Sequence, residues 1–469
     1  MAARRSLESK DSDHQRRERR IILSMIVITS FINPFLGGSI NIALPAISED
    51  FSLGAVGMSW VAMSFILTSA VFLVPLGKLA DIRGRKTTFL WGNVIIAITS
   101  VMCALAPSGS MLIFFRALQG AGSAMVFGTG VAIITSVYPA GERGRAIGIS
   151  VTAVYIGLSL APFLGGILTQ YLGWRSIFYA TIPFELLVIG ITWLGISDEW
   201  ADARGETFDL RGSILYLLSM SAFMYGFSRL PGTWAILLTA AGLTGLVLFT
   251  LLELRTKSPV FNIALFTRNR LFAFSNLAAL INYATTFAIT FLLSLYLQYI
   301  AGLSPRDAGI ILVTQPLTMA LVASYSGKLS DRYDPRILAS AGMGITVGGL
   351  IMMSFLYTDT PLSYLIFSLV VVGLGFGMFS SPNTNAIMGS VSKKYLGVAS
   401  ATVGTMRLTG QMISMGIATL VLQLFIGNNP LSTEVSDEFL ASMKITLIIF
   451  AALCTLGVFA SLARGRKSQ

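Results

Sequence analysis

The chain has 469 residues, 54% of them hydrophobic and only 12% charged, with a formal net charge of +11. Apolar runs long enough to cross a hydrocarbon core of roughly 30 Å as helices recur from end to end, which excludes a water-soluble protein and predicts a polytopic helical membrane protein. The charges fall in short clusters between those runs, without the aromatic interleaving that base stacking uses, so nucleic acid is not an expected partner.

The first twenty residues are a polar, basic tail that holds the single histidine, His14. The apolar run behind it is far longer than a signal-peptide core and lacks a small-residue cleavage site, so it is expected to stay as the first span. Cuts at charged and Pro/Gly-rich breaks give fourteen predicted spans. They begin near Ile21, Ala55, Thr87, Met111, Ala146, Ile177, Gly212, Trp234, Leu271, Ala308, Ile337, Leu362, Gly397 and Met443. Cys103 and Cys454 lie inside apolar runs and form neither a disulfide framework nor a metal-ligand pattern. With the N-terminus inside, every Lys and Arg falls on a cytoplasmic segment except Arg116, Arg175, Arg229, Arg306, Arg407 and Lys444. The positive-inside bias therefore predicts both termini in the cytoplasm, and the +11 charge faces anionic lipid.

A charged phrase is written twice. GKLADIRGRK (77–86) returns 250 residues later as GKLSDRYDPR (327–336), matching Gly77, Lys78, Leu79 and Asp81 to Gly327, Lys328, Leu329 and Asp331. A second match, offset by 253, pairs Gly157, Ala161 and Gly165 with Gly410, Ser414 and Ala418. Both sets are small residues at four-residue spacing, which lets helix backbones approach closely. Spans 1–6 and 9–14 thus read as repeats, with spans 7–8 inserted. The predicted organisation is a tail (1–20), a six-helix bundle (21–197), a linker with two inserted helices (198–256), a second bundle (257–463) and a short tail (464–469). Two parallel six-span halves form a transporter architecture with substrate held near the midplane.

Further segments carry a family resemblance: NIALP (41–45), FFRALQGAG (114–122, with Arg116, Gln119 and Gly120) and GLSLAPFLGG (157–166, with Gly157, Pro162, Gly165 and Gly166). WRSIFYATIP (174–183), FDLRG (208–212) and YLQYIAGLSPRDAG (296–309) continue it. Together with GKLADIRGRK, and in this order, they resemble the major facilitator superfamily, specifically its fourteen-span drug:proton antiporter branch. The resemblance implies an all-α fold of two pseudo-symmetric six-helix bundles plus two inserted helices. It also implies secondary active export of small, drug-like, amphipathic solutes by alternating access. The expected partners are a small-molecule substrate, protons and the lipid bilayer of the cell membrane. The chain is expected to act as a monomer and not as an enzyme, with the proton gradient in place of any cofactor. No G-x-x-x-x-G-K-[ST] phosphate loop occurs.

Three departures stand out: Leu36 where the branch usually has an aspartate, Ala161 where it has glycine, and Thr181 where it has asparagine. Leu36 removes a carboxylate associated with cation recognition or proton coupling. Transport of an anionic metabolite, with different or no proton coupling, therefore stays open as the alternative.

Charges inside spans are costly and mark candidates. Arg116 in span 4 matches a family position implicated in proton transfer. A guanidinium stays charged, so it would act on a neighbour or hold an anion; otherwise carbonyls and Gln119 satisfy it. Arg407 in span 13 either lines the substrate path or packs beside Gln411. Glu185, the one carboxylate well inside a span, suits coupling by chemistry, although span 6 is a scaffold helix in the family. Neutral cavity candidates are Asn33, Asn41, Trp60, Tyr155, Asn282, Tyr283, Gln298, Gln315, Asn383 and Asn385. Pro162 with Gly157, Gly165 and Gly166 suits a hinge or tight seal, expected to face span 13. For gating, the resemblance implies that Gly77 and Asp81, paired with Arg85, face the start of span 13 near Gly397. In the worn second copy Gly84 becomes Asp334 and Arg85 becomes Pro335, leaving Asp331 to face the start of span 5 near Gly144.

Overall fold

A backbone in hydrocarbon must satisfy its own N–H and C=O groups, and this chain does so with helices. The computed structural model describes the backbone of residues 2–139, 142–196, 198–256, 259–261, 263–330, 332–391, 396–427 and 435–465, and among them there is no strand. The helices are α1 (Ala2–Phe51), α2 (Ala55–Arg83), α3 (Arg85–Ala104), α4 (Gly109–Val137), α5 (Arg143–Leu172), α6 (Ser176–Gly195), α7 (Leu210–Ser228) and α8 (Thr233–Glu253). After a short turn of helix at Ala264–Arg268 come α9 (Arg270–Ile300), α10 (Pro305–Leu329), α11 (Pro335–Met353), α12 (Leu362–Gly389), α13 (Leu396–Phe425) and α14 (Ser436–Ala463). Thirteen of these are long and apolar enough to cross a membrane, with Arg17–Phe51 as the spanning part of α1. The fourteenth, α7, has 19 residues, carries Arg211 and four serines, and forms a hairpin with α8.

Several helix starts follow from local chemistry. Ser108, Asp209, Asn269 and Ser304 each accept a hydrogen bond from a backbone N–H in the first turn of the helix they precede. Asp334 does the same for α11, accepting from Arg336 N at 2.9 Å with Pro335 at the first helical position. The worn copy of the charged phrase has thus become an ordinary helix cap.

The two halves repeat each other contact for contact. In the first, α1 packs on α5 and α6, α2 on α4, and α3 on α4 and α6. In the second, α9 packs on α13 and α14, α10 on α12, and α11 on α12 and α14. One crossing shows how closely the repeat holds. Ser39 of α1 donates to Ala161 O of α5 at 3.0 Å, and Ser414 of α13, which matches Ala161, accepts from Ala288 N of α9 at 3.0 Å.

The halves meet along two symmetry-related seams, α2 against α13 and α5 against α10. This corrects one expectation: the glycine-rich α5 faces α10 across the interface, not α13, which packs on α2. The inserted α7 lies against α2 and α13, with Tyr225 tilted against Trp60 at a ring-centroid distance of 5.4 Å.

Candidate functional site

The fourteen helices run alternately up and down, so the start of α1 and the end of α14 lie at the same end of the bundle, termed the termini face, opposite the far face. Between the halves lies a cavity of about 220 Å³, room for a small organic molecule. The first half lines it from α1 (Asn33, Pro34, Gly37, Gly38, Asn41), α2 (Phe65, Ile66), α4 (Phe127) and α5 (Val151, Val154, Tyr155, Leu158, Pro162). The second half lines it from α9 (Tyr283, Thr286, Phe287, Thr290), α10 (Gln315, Pro316, Met319), α12 (Phe376) and α13 (Arg407, Leu408, Gln411). The contributing helices are therefore 1, 2, 4 and 5 and their repeats 9, 10, 12 and 13.

Asn33, Gly37 and Asn41 stand four residues apart on one face of α1, so they share the cavity wall. Asn33 Nδ2 donates to Thr29 O at 3.2 Å, while the Oδ1 atoms of Asn33 and Asn41 have no partner among the described residues. Tyr155 shares a hydroxyl hydrogen bond with Ser380 at 2.8 Å, which ties α5 to α12. Tyr283 stands edge-on to Phe376 at 5.4 Å. Arg407 lies over the Phe127 ring at 5.3 Å, with Tyr155 and Tyr283 within its electrostatic reach.

Other predicted cavity residues have different work. Gln298 sits in a π-helical turn, Tyr296–Ile300, and donates to Ile42 O and Ser294 Oγ at 3.1 and 3.0 Å. Ser294 in turn donates to Asn41 O at 2.7 Å. That carbonyl is available because Pro45, four residues on, has no N–H to offer it. These bonds join α1 to α9 on the far-face side of the cavity. Asn385 donates to Ser330 Oγ at 2.7 Å, between α10 and α12. Asn383 binds Ser275 O and Arg464. Trp60 turns to α7, and Asn282 is fully buried with no partner for its amide among the described residues; neither lines the cavity.

Arg116 and Gln119 also stand away from the cavity. Arg116 is fully buried, donates to Val61 O at 3.3 Å and to Gln119 Oε1 at 2.7 Å, and lies 4.5 Å over the Phe65 ring. Gln119 completes the chain by donating to Ser100 Oγ at 2.8 Å. Since Phe65 lines the cavity, Arg116 stands one side chain behind its wall. Arg116→Ala is expected to lower stability by about 1.5–3 kcal/mol, the worth of hydrogen bonds to a charged group. The check is Tm of the detergent-solubilised protein; an unchanged Tm with lost transport would instead assign Arg116 to the transport cycle. Glu185 is fully buried on α6, which packs chiefly on α1 and α3, and neither of its carboxylate oxygens has a partner among the described residues.

The α5–α10 seam is built from backbone. A Cβ on Gly166 would overlap Pro305 O, and one on Gly309 would overlap Pro162 O. Gly157 and Gly165 serve the packing of α5 on α1, against Phe31 O and Ser39.

On the termini face, Arg85 donates to Asp81 Oδ1 at 2.7 Å, as expected, and its fork extends to Ser136 Oγ and Asp202, both at 2.6 Å. The partners missed by sequence reasoning belong to the 198–209 linker. Glu199 accepts from Lys86 N and Thr87 N at 2.8 and 3.1 Å, capping α3. Arg85 N donates to Trp200 O, Ala203 N to Asp81 O, and Lys78 pairs with Glu206 at 2.6 Å. Gly84, at φ +137, has no room for a side chain beside the Glu199 carboxylate. Gly77 lies against Gly128, bringing α2 close to α4. Asp331 lies outside the described residues, as do residues 392–395 ahead of α13.

Comparison with known proteins agrees with this architecture. The family model of the Major Facilitator Superfamily matches residues 26–272 and 276–468. The chain is 30% identical over 457 residues to the riboflavin transporter RibZ of Clostridioides difficile, covering 97% of this chain and 99% of that one. It is 31% identical over 395 residues to the multidrug resistance protein Stp of Mycobacterium tuberculosis, covering 82% of this chain and 73% of that one. Among solved structures, a bacterial homologue of the human lysosomal transporter Spinster, inward-facing and occupied, superposes with a TM-score of 0.66 at 17% identity, over 95% of this chain and 96% of that one. With two six-helix halves around a shared cavity and a family match over nearly its whole length, the chain is a multi-pass membrane transporter of the Major Facilitator Superfamily.

Proposed function

We propose that the protein exports small amphipathic organic solutes from the cytoplasm by alternating access, driven by a proton gradient. The observation that carries this reading is a cavity lined by the same four helices of each half and closed on the far-face side by contacts that can part. Those contacts are serine and glutamine hydrogen bonds to α1 carbonyls, and a glycine–backbone seam. None is covalent, so rocking of the halves can exchange them for contacts elsewhere. The Lys and Arg distribution supports a cytoplasmic termini face, and in that orientation the cavity is closed toward the outside. Relatives named for riboflavin transport and multidrug resistance fit an organic, non-polymeric cargo. The test is uptake into inside-out proteoliposomes with and without an imposed pH gradient. Solute movement that needs the protein and rises with an acidic interior is expected; movement indifferent to the gradient would remove proton coupling.

A further inference from the structure

Resting on that transport reading, we propose that the cargo is an aromatic anion: a planar ring system with one acidic group, which Arg407 holds, and a hydrogen-bond donor facing α1.

The charge of the cavity wall gives the sign. Of all the residues that line the cavity, Arg407 alone is charged. Among the described residues, no carboxylate lies within ion-pair distance of it. The two most deeply buried arginines among the described residues are treated differently. Arg116 has a carbonyl, an amide and a ring face, and Arg464 has Ser275, Asn383 and Pro335 O. These two are structural, the terminal nitrogens of Arg464 and the Nε and one terminal nitrogen of Arg116 being held by oxygens of neighbouring residues. Arg407 has the Phe127 ring and the Tyr283 hydroxyl as neighbours and is only partly buried, so the rest of its planar fork remains available to a carboxylate or similar group. An organic cation would meet a like charge with no acidic group on the cavity wall to answer it.

The rest of the wall gives the shape. Phe65, Phe127, Phe287 and Phe376, with Tyr155 and Tyr283, supply ring faces and edges from both halves. Such walls suit a flat π-system better than an alkyl chain. On α1, the buried and unpartnered Oδ1 atoms of Asn33 and Asn41 want donors, which a solute N–H or O–H would provide.

The experiment uses the full-length protein and three probes of one skeleton: 1-naphthoate, 1-naphthylmethylammonium and 1-naphthalenemethanol. Binding is read by ligand-induced shift of Tm and by displacement titration, and carriage is read in proteoliposomes. Wild type is expected to bind the anion about 10- to 100-fold more tightly than the cation, the range for hydrogen bonds to a charged partner. Arg407→Lys should keep the preference in weaker form, and Arg407→Gln should abolish it, with gel filtration verifying the fold. A wild-type preference for the cation or the alcohol, absent binding of naphthoate at millimolar concentration, or an unchanged ratio in Arg407→Gln would each overturn the proposal. The wild-type probe series decides without any variant. Selective binding without carriage would remove the transport reading alone, whereas carriage without selection would remove only the anion.

Discussion

Gly166→Val is expected to stop transport by holding the far face open, with folding largely intact. The reason lies in how α5 and α10 meet. Gly166 of α5 rests on the carbonyl of Pro305, and Gly309 of α10 rests on the carbonyl of Pro162, so the helices touch through backbone at two reciprocal points. A valine side chain at either point cannot be absorbed by a rotamer change, because what it meets is main chain. Overpacking of this kind costs about 1–3 kcal/mol, but only in the state where the seam is closed. That is a roughly 5- to 150-fold shift toward the far-face-open state. The measurement is labelling of an introduced Asn41→Cys by an impermeant maleimide; the native Cys103 and Cys454 are buried and give little background. Gly157→Val is the contrast, since Gly157 packs on Phe31 O within the first half. It should reduce folded yield and leave the labelling of the surviving protein unchanged. Normal transport with unaltered labelling in Gly166→Val would show that the seam is static packing.

Legibility followed the physics of each signal. Spans and repeats were readable because the bilayer imposes length and apolarity on every helix, and because the small residues of α5 and α13 do one job at one crossing in each half. The polar candidates divided unevenly. Arg116 and Arg407 look alike in sequence, each being an arginine in an apolar run with a glutamine three or four residues on. Only three-dimensional packing distinguishes an arginine whose donors are occupied from one at a cavity edge. Asn385 and Gln298 bond between helices, a use of polar side chains that composition cannot separate from ligand contact. The aromatic walls were passed over because phenylalanine in a membrane span carries no positional signal of its own. Pro45 did carry a usable one: a proline in a span frees the carbonyl four residues earlier, and here that carbonyl belongs to Asn41 at the gate. The acidic linker, DEWADARGE, was legible as a loop but not as a partner, since its docking depends on which turn lies beside it.

That docking leads to the second large effect, Arg85→Ala, which is expected to reduce transport more than Asp202→Ala does, by about tenfold or more. Asp202 is 70% exposed in its side chain, so its ion pair with Arg85 contributes roughly 0–1 kcal/mol, and its loss alone should be nearly silent. Arg85 is 9% exposed and joins three elements at once: Asp81 of α2, Ser136 of α4 and the linker. Its removal strands the Asp81 carboxylate and releases the linker that leads into the inserted pair, leaving the Glu199 cap on α3 as the main anchor. Among the described residues the second half shows no such arrangement: Asp334 occupies the place of Gly84 and caps α11 itself. A strap seen, among the described residues, in the first half alone would make the two seams unequal, although the halves are otherwise repeats. Two readouts separate a strap from simple stabilisation. Trypsin cleavage after the exposed Arg204, applied from the termini face, should speed up in Arg85→Ala and stay near wild type in Asp202→Ala. Carriage should fall in the same order at equal folded protein. Faster cleavage with unimpaired carriage would mean that the linker is tied down without taking part in the cycle. The asymmetry between the two charged phrases would then reflect helix capping rather than gating.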